Sequence, residues 1–232
     1  MGRVVRRSFL LAAGGFWAVG ILTLMLWLPA GSTVAAFSYG QGIELPVVVA
    51  EDMVAESVMV YEGAFLEDGS DRPAVNIAAL MLRNQGDTPI RSAEVILEQG
   101  SVRLTFQADT IPPGAAVLVL EKDGKRYRKD TFTACYGWAQ KGEDRPLMDS
   151  RVQVVEQGMA TLLVTNPTDR VLTDLRIRHK SYYLDGDFYM GGVTYETRLD
   201  RLEPGQTLPV YPYHYAAGYS KVVEVRVGGE LR

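Results

Sequence analysis

The sequence predicts an all-β protein, a body of two tandem antiparallel β-sandwiches preceded by one N-terminal transmembrane or signal helix. Three observations predict it. Phe9 to Leu28 is a run of twenty residues without a charge. Beyond it, stretches rich in Val, Ile, Thr, Tyr and Leu alternate in polarity between Asp-Gly, Asn-Gln-Gly and Pro-Gly turn signals. The second half of the body also reads as a copy of the first.

The N-terminal run is long enough to span a membrane, since twenty residues at about 1.5 Å of rise cover roughly 30 Å, the thickness of a bilayer core. Arg3, Arg6 and Arg7 precede it, no acidic residue occurs before Glu44, and Pro29, Gly31 and Ser32 end it. Positive flanks resist translocation, so the N-terminus is expected in the cytoplasm and the body outside it. Two readings of the segment differ in whether a peptidase cuts it. As an anchor, residues 9–28 hold a single-pass membrane protein, with Trp27 at the outer interface. As a signal peptide, Val34-Ala35-Ala36 supplies a small-residue site, and cleavage after Ala36 gives a secreted protein. Arg6-Arg7-Ser8-Phe9-Leu10 also resembles a twin-arginine export signal, against which stands the ordinary occurrence of paired arginines in positive leaders.

After residue 36 the chain carries 21 basic and 28 acidic side chains, a formal charge of −7. That balance argues against nucleic acid as a partner. The single cysteine, Cys135, excludes an intrachain disulfide, so packing must stabilise the body. Alternation places Cys135 on the strand face opposite Phe132, Tyr136 and Trp138, as a buried, inert thiol.

Residues 37–49, with Gly40, Gly42 and Pro46, read as a spacer. The repeat then sets the boundaries. Ala79–Ile90 aligns with Thr161–Leu172 at an offset of 82, each copy running from an apolar strand through Asn84 or Asn166 and a polar turn into a second strand. Asparagine suits that place because it tolerates left-handed backbone and bonds its own turn. Ile111-Pro112-Pro113-Gly114 aligns with Leu202-Glu203-Pro204-Gly205 at an offset of 91, which locates a nine-residue insertion in the Tyr182–Gly192 stretch, where Leu184–Phe188 has the composition of a hairpin tip. The first sandwich is expected over 50–141, a short charged linker over 142–146 and the second sandwich over 147–232, each with about seven strands.

An apolar strand, Asn with a polar turn, a second strand, and then Leu-x-Pro-Gly resembles the immunoglobulin-like modules of bacterial envelope proteins of the FxLYD and CARDB kinds. Leu163-Val164-Thr165-Asn166 with Leu202-Glu203-Pro204-Gly205-Gln206 carries the resemblance, and Tyr183-Leu184-Asp185 partly echoes the signature naming one of these families. The resemblance implies adhesion, scaffolding or interaction, and brings no catalytic residues.

Catalytic and metal signatures are missing from the sequence. The two histidines, His179 and His214, are expected as surface or rim residues, and with one distant cysteine they do not make a standard zinc site. Glu67–Asp71 and Asp185–Asp187 place carboxylates beside glycine as calcium loops do, but lack the spacing ending in a bidentate Glu and read as hairpin turns. No cofactor is implied. The tyrosines stand out: Tyr182, Tyr183, Tyr189, Tyr211, Tyr213 and Tyr215 crowd into the second copy. If Tyr211 to Tyr215 were strand, alternation would put three rings on one face, either a binding platform or simply core. Pro209 and Pro212 restrict such a strand to a sheet edge.

The sequence thus leads to a membrane-tethered extracytoplasmic interaction or scaffold protein of the bacterial cell envelope, non-catalytic, meeting the membrane through residues 9–28 and partnering an envelope protein. The alternative is a carbohydrate- or peptidoglycan-binding module using the Tyr-rich face of the second sandwich on cell-wall glycan.

Overall fold

The computed structural model describes residues 32–34, 38–128, 131–143 and 146–231, and among them the chain is all-β. The apolar segment 9–28 lies outside the described residues, as does the Ala36 site. No helix among the described residues is long and apolar enough to cross a membrane.

In chain order the strands are β1 (Ser32–Val34), β2 (Ser38–Ile43), β3 (Val47–Ala50), β4 (Met53–Ala64), β5 (Pro73–Asn84), β6 (Ile90–Gln99), β7 (Val102–Ile111), β8 (Ala116–Leu120), β9 (Phe132–Lys141), β10 (Gln153–Gln157), β11 (Thr161–Thr165), β12 (Val171–Tyr183), β13 (Phe188–Leu202), β14 (Thr207–Val210) and β15 (Ser220–Leu231). They make three sheets. One has the order β1-β9-β6-β7, with β2 also on β9; a second is β10-β11-β14; the third runs β15-β12-β13-β8-β5-β4-β3 through both halves of the body.

Strand alternation builds the core of each half. In β6 the inward residues are Ala93, Val95 and Leu97, and they meet Leu80 and Leu82 of β5 and Val117 and Val119 of β8 across the first sandwich. Cys135 lies fully buried in this cluster, and burial pushes its thiol up to about 12, which leaves it unreactive. In the second half, Leu162 and Val164 of β11 pack on Leu175, Ile177 and Val225 of the long sheet. Strand order recurs between the halves: β9-β6-β7 and β4-β5-β8 in the first correspond to β15-β12-β13 and β10-β11-β14 in the second.

Asn84 and Asn166 are both fully buried at equivalent corners of these layers. The Asn84 amide donates to the carbonyls of Thr88 (2.8 Å), Ile111 (3.1 Å) and Pro112 (3.2 Å), while its side-chain oxygen accepts from the Gly86 amide at 3.0 Å. Asn166 donates to Arg170 (2.7 Å) and Leu202 (3.0 Å) and accepts from the Thr168 amide at 3.0 Å. Each asparagine therefore ties its own turn to the end of the strand two connections further along the chain.

The stretch expected as a spacer is partly sheet. β2 pairs with β9, and Ile43 and Leu45 pack against the first core. Unpaired backbone along β9 favours such an added strand, a non-local demand that glycine-rich composition conceals.

The insertion around 182–192 lengthens one hairpin. β12 and β13 run for 13 and 15 residues, against 10 each for their counterparts β6 and β7. The extended part carries Tyr189 and Met190 beside Val117 and Leu118 of β8, the one parallel pairing between named strands. Through it the two halves share a sheet, whereas the expected boundary at 142–146 falls between β9 and β10.

Candidate functional site

Where the halves meet, Gly192 is gripped from both sides. Glu67, on the β4–β5 connection, accepts the Gly192 amide at 2.8 Å and the Leu120 amide at 2.7 Å. The ammonium of Lys180, fully buried, donates to the Gly192 carbonyl at 2.7 Å and the Val193 carbonyl at 2.9 Å, with Asp109 at 3.5 Å. Thr194 donates to the same Asp109 carboxylate at 2.7 Å. A buried ammonium is tolerated only where its donors are used, and here two carbonyls and a carboxylate use them. Burial lowers the Lys180 pKa, opposed by the charges of Asp109 and Glu67.

Glycine is required at both 191 and 192. Gly191 has φ +80 and sits against Leu66; at Gly192 an added Cβ would lie 1.8 Å from the Gln107 carbonyl oxygen of β7. The acidic loop after β4 completes the joint. His214 bonds the Gly69 carbonyl through Nε2 at 3.0 Å and faces the Asp71 carboxylate through Nδ1 at 3.0 Å. Behind the joint, Glu224 is nearly fully buried among Arg91 of β6, Arg178 of β12 and Arg226 of β15, with Arg91 at 2.6 Å.

In front of the joint opens a polar cleft of about 530 Å³. Its floor is the outer face of β9-β6-β7, where Trp138, Glu94 and Gln107 form one cross-strand row and Ser92 and Asp109 the next. One wall is Gly192–Val193 with Glu67; the other is Lys122–Asp123.

The tyrosines divide. Tyr182 is buried with its hydroxyl on Asp187 and its ring under Lys221, while Tyr183 is exposed beyond it, as alternation requires. Tyr189 is half-buried and packs edge-on against Tyr182. The expectation of three rings on one face of a strand is corrected: residues 211–215 are not strand, and the chain turns so that the Tyr215 amide bonds the Pro212 carbonyl, with His214 at φ +60. Tyr211 and Tyr213 are consequently 73% and 74% exposed, as is Tyr219 at 74%, whereas Tyr215 is 4% exposed with its hydroxyl on Glu156 at 2.5 Å. Pro209 lies in β14, an edge strand.

His179 departs most from expectation. Instead of standing at a rim it is fully buried, because it shares parity on β12 with the core residues Leu175 and Ile177. Its ring stacks on Tyr195 at 5.4 Å and meets Tyr215 edge-on at 5.3 Å. Among the described residues neither nitrogen has a hydrogen-bond partner, although the main chain of Tyr213 and His214 lies near. Burial lowers its pKa to about 4.

Glu67 is displaced oppositely. Burial raises it to about 7, against the amides of Leu120 and Gly192 and the Lys180 charge, which favour the anion. A lowered histidine contributes stability above pH 6.5 that is lost as pH falls towards 4; a raised glutamate contributes stability below pH 4.5 that is lost as pH rises towards 7. Each is worth about 3 kcal/mol at most. Their slopes oppose one another between pH 4.5 and 6.5. Relative to the parent, Glu67→Gln should gain stability as pH rises through this window, and His179→Phe should gain as pH falls. Urea unfolding at a series of pH values checks this, and parallel profiles for parent and variants would contradict it.

The candidate calcium loops act as turns. Asp68 accepts from the Ser70 amide at 2.9 Å, and among the described residues no three His, Cys, Asp or Glu side chains gather as metal ligands. Composition did not bring together Glu67, Lys180, Gly192 and Trp138: Glu67 stood out only within an acidic turn, and the other signals were a paired glycine in a strand and a lone tryptophan in the body. No protein-family model matches the chain, and no curated protein matches it.

Proposed function

We propose that the chain is a membrane-tethered extracytoplasmic interaction protein of the bacterial cell envelope, non-catalytic, with two immunoglobulin-like sandwiches held as one unit. The arginine-flanked apolar run 9–28 supports the tether, and the equivalent bonding of Asn84 and Asn166 supports the duplication. The observation that carries the reading is the loop bearing Tyr211, Tyr213 and Tyr219. Three rings stand in solvent on a segment whose backbone is fixed by buried Tyr215 and by His214 on the opposite half. Rigidly held, exposed tyrosines present large contact area at little entropic cost, the composition of protein-binding surfaces. With the anchor retained, β1 and β2 on β9 bring the chain from the membrane directly onto the body; cleavage after Ala36 would remove β1 and leave β2.

A photoreactive phenylalanine analogue placed at Tyr211 or Tyr213 of the full-length protein in cells tests the reading. A discrete protein adduct is expected there and not at Val60, an exposed position on β4. Identical patterns at all three positions, or none at any, would refute it.

A further inference from the structure

We propose that the cleft between the halves is a second binding site, separate from the tyrosine loop, and that its ligand is a neutral or amino-substituted saccharide. The cleft's volume of about 530 Å³ falls inside the range of small-ligand sites, about 300–1,000 Å³. Its floor belongs to three hydrogen-bonded strands, so Trp138, Ser92, Gln107 and Asp109 are held by sheet, while Glu67, Lys122 and Asp123 stand on connections. Adjacent strands are about 4.8 Å apart, which spaces Trp138, Glu94 and Gln107 across about 10 Å.

The lining defines the ligand's chemistry. Besides Trp138, the one apolar side chain at its surface is Val193, since Ala93 and Ala108 point into the core and border the cleft with backbone. Little there would receive a large hydrophobe. A single aromatic beside a ring of hydrogen-bonding groups suits a molecule with one apolar face and a polar edge, which describes a pyranose ring. The polar groups keep capacity beyond their internal bonds. Gln107 donates one amide hydrogen to Glu94 at 2.7 Å, leaving its second hydrogen and its oxygen. The contacts of Asp109 with Lys180 and Thr194 both fall on Oδ1, and that of Asp123 with Lys125 falls on Oδ2. Hydroxyl groups, which both donate and accept, match this mixture.

Charge selects among sugars. Glu67, Asp109 and Asp123 present carboxylates to the cleft with Lys122 as the ammonium in the lining, while Lys180 and Lys125 meet Asp109 and Asp123 from behind. Uronic acids and phosphorylated sugars would bring an anion to an acidic wall, whereas neutral and amino sugars would not.

Trp138 supplies the readout, because the other two tryptophans, Trp17 and Trp27, lie in the N-terminal run and can be replaced by Phe. The full-length chain in polyoxyethylene detergent, which carries no sugar headgroup, is titrated with chitotetraose, maltotetraose and tetragalacturonate. A saturable change in Trp138 emission is expected with at least one of the first two, with tetragalacturonate at least tenfold weaker. Gln107→Ala and Asp123→Asn, both at exposed positions, should each weaken binding at least threefold while leaving the urea midpoint unchanged. Trp138→Ala, followed by calorimetry, should abolish it. Tyr211→Ala/Tyr213→Ala should leave it intact, so failure of the tyrosine reading and failure of this one are distinguishable. No saturable change with either neutral sugar, equal binding of tetragalacturonate, or loss in the tyrosine variant with cleft variants unaffected would each overturn the proposal.

Discussion

Replacing Gly192 by alanine is expected to destabilise the protein by about 4 kcal/mol, near the upper end of single-residue effects. The new methyl would lie 1.8 Å from the Gln107 carbonyl oxygen and 2.8 Å from the Glu67 carboxylate. A carbonyl within β7 cannot swing aside as a side chain can. Relief requires β13 to withdraw from β7, and withdrawal breaks the Glu67 bond to the Gly192 amide and the contacts of Lys180 and Thr194 with Asp109 of β7. Lys180 would then be a buried ammonium with fewer partners, which adds its own penalty. Gly158→Ala provides the comparison: with φ +66 and nothing within 4 Å, it should cost only about 1 kcal/mol, from backbone strain. Equilibrium urea unfolding of both variants decides the matter, and equal midpoints would defeat the argument.

Asn84→Ala should be nearly as damaging, at about 4 kcal/mol. The substitution takes the side-chain partner from the Thr88 and Ile111 carbonyls and from the Gly86 amide, while the Pro112 carbonyl keeps the Ala115 amide, and each unsatisfied buried group costs about 1–3 kcal/mol before relaxation. Asn166→Ala takes the partner from the Leu202 carbonyl and the Thr168 amide, while the Arg170 carbonyl keeps the Thr168 hydroxyl, so it should follow the same direction with a smaller loss. Asn84→Asp would not rescue, because a carboxylate cannot donate to those carbonyls. Thermal and urea unfolding should rank the three; a cost below about 1 kcal/mol at Asn84 would show that the corner repacks.

These asparagines were legible in the sequence because their chemistry is local, a turn signal placed at the end of an apolar strand. Alternation was equally reliable where strands are regular. It separated Tyr182 from Tyr183, but it did not separate Cys135 from Phe132, which are buried in the same core. It failed at Tyr215, where Pro212 starts a turn and the parity of Tyr211 and Tyr213 no longer applies. For His179 the signal was present in Leu175 and Ile177, but the prior that histidine sits at a surface outweighed it. The cleft had no local signature. Glu67, Asp109, Trp138 and Gly192 come from four separate segments, and only the pairing of β13 with β8 brings them together. Nor could composition show that residues expected as a spacer would supply β2, since a vacant strand edge is a property of the partner.

The lengthened β12–β13 hairpin makes the peptide link between the halves redundant. Sheet hydrogen bonds, the Glu67 bond to the Gly192 amide, the Lys180–Asp109 contact and the Arg91–Glu224 pair hold the two together. Cohesion between the halves therefore resides in a surface to which both contribute, and the length of one hairpin, more than the segment that joins them in sequence, makes that surface.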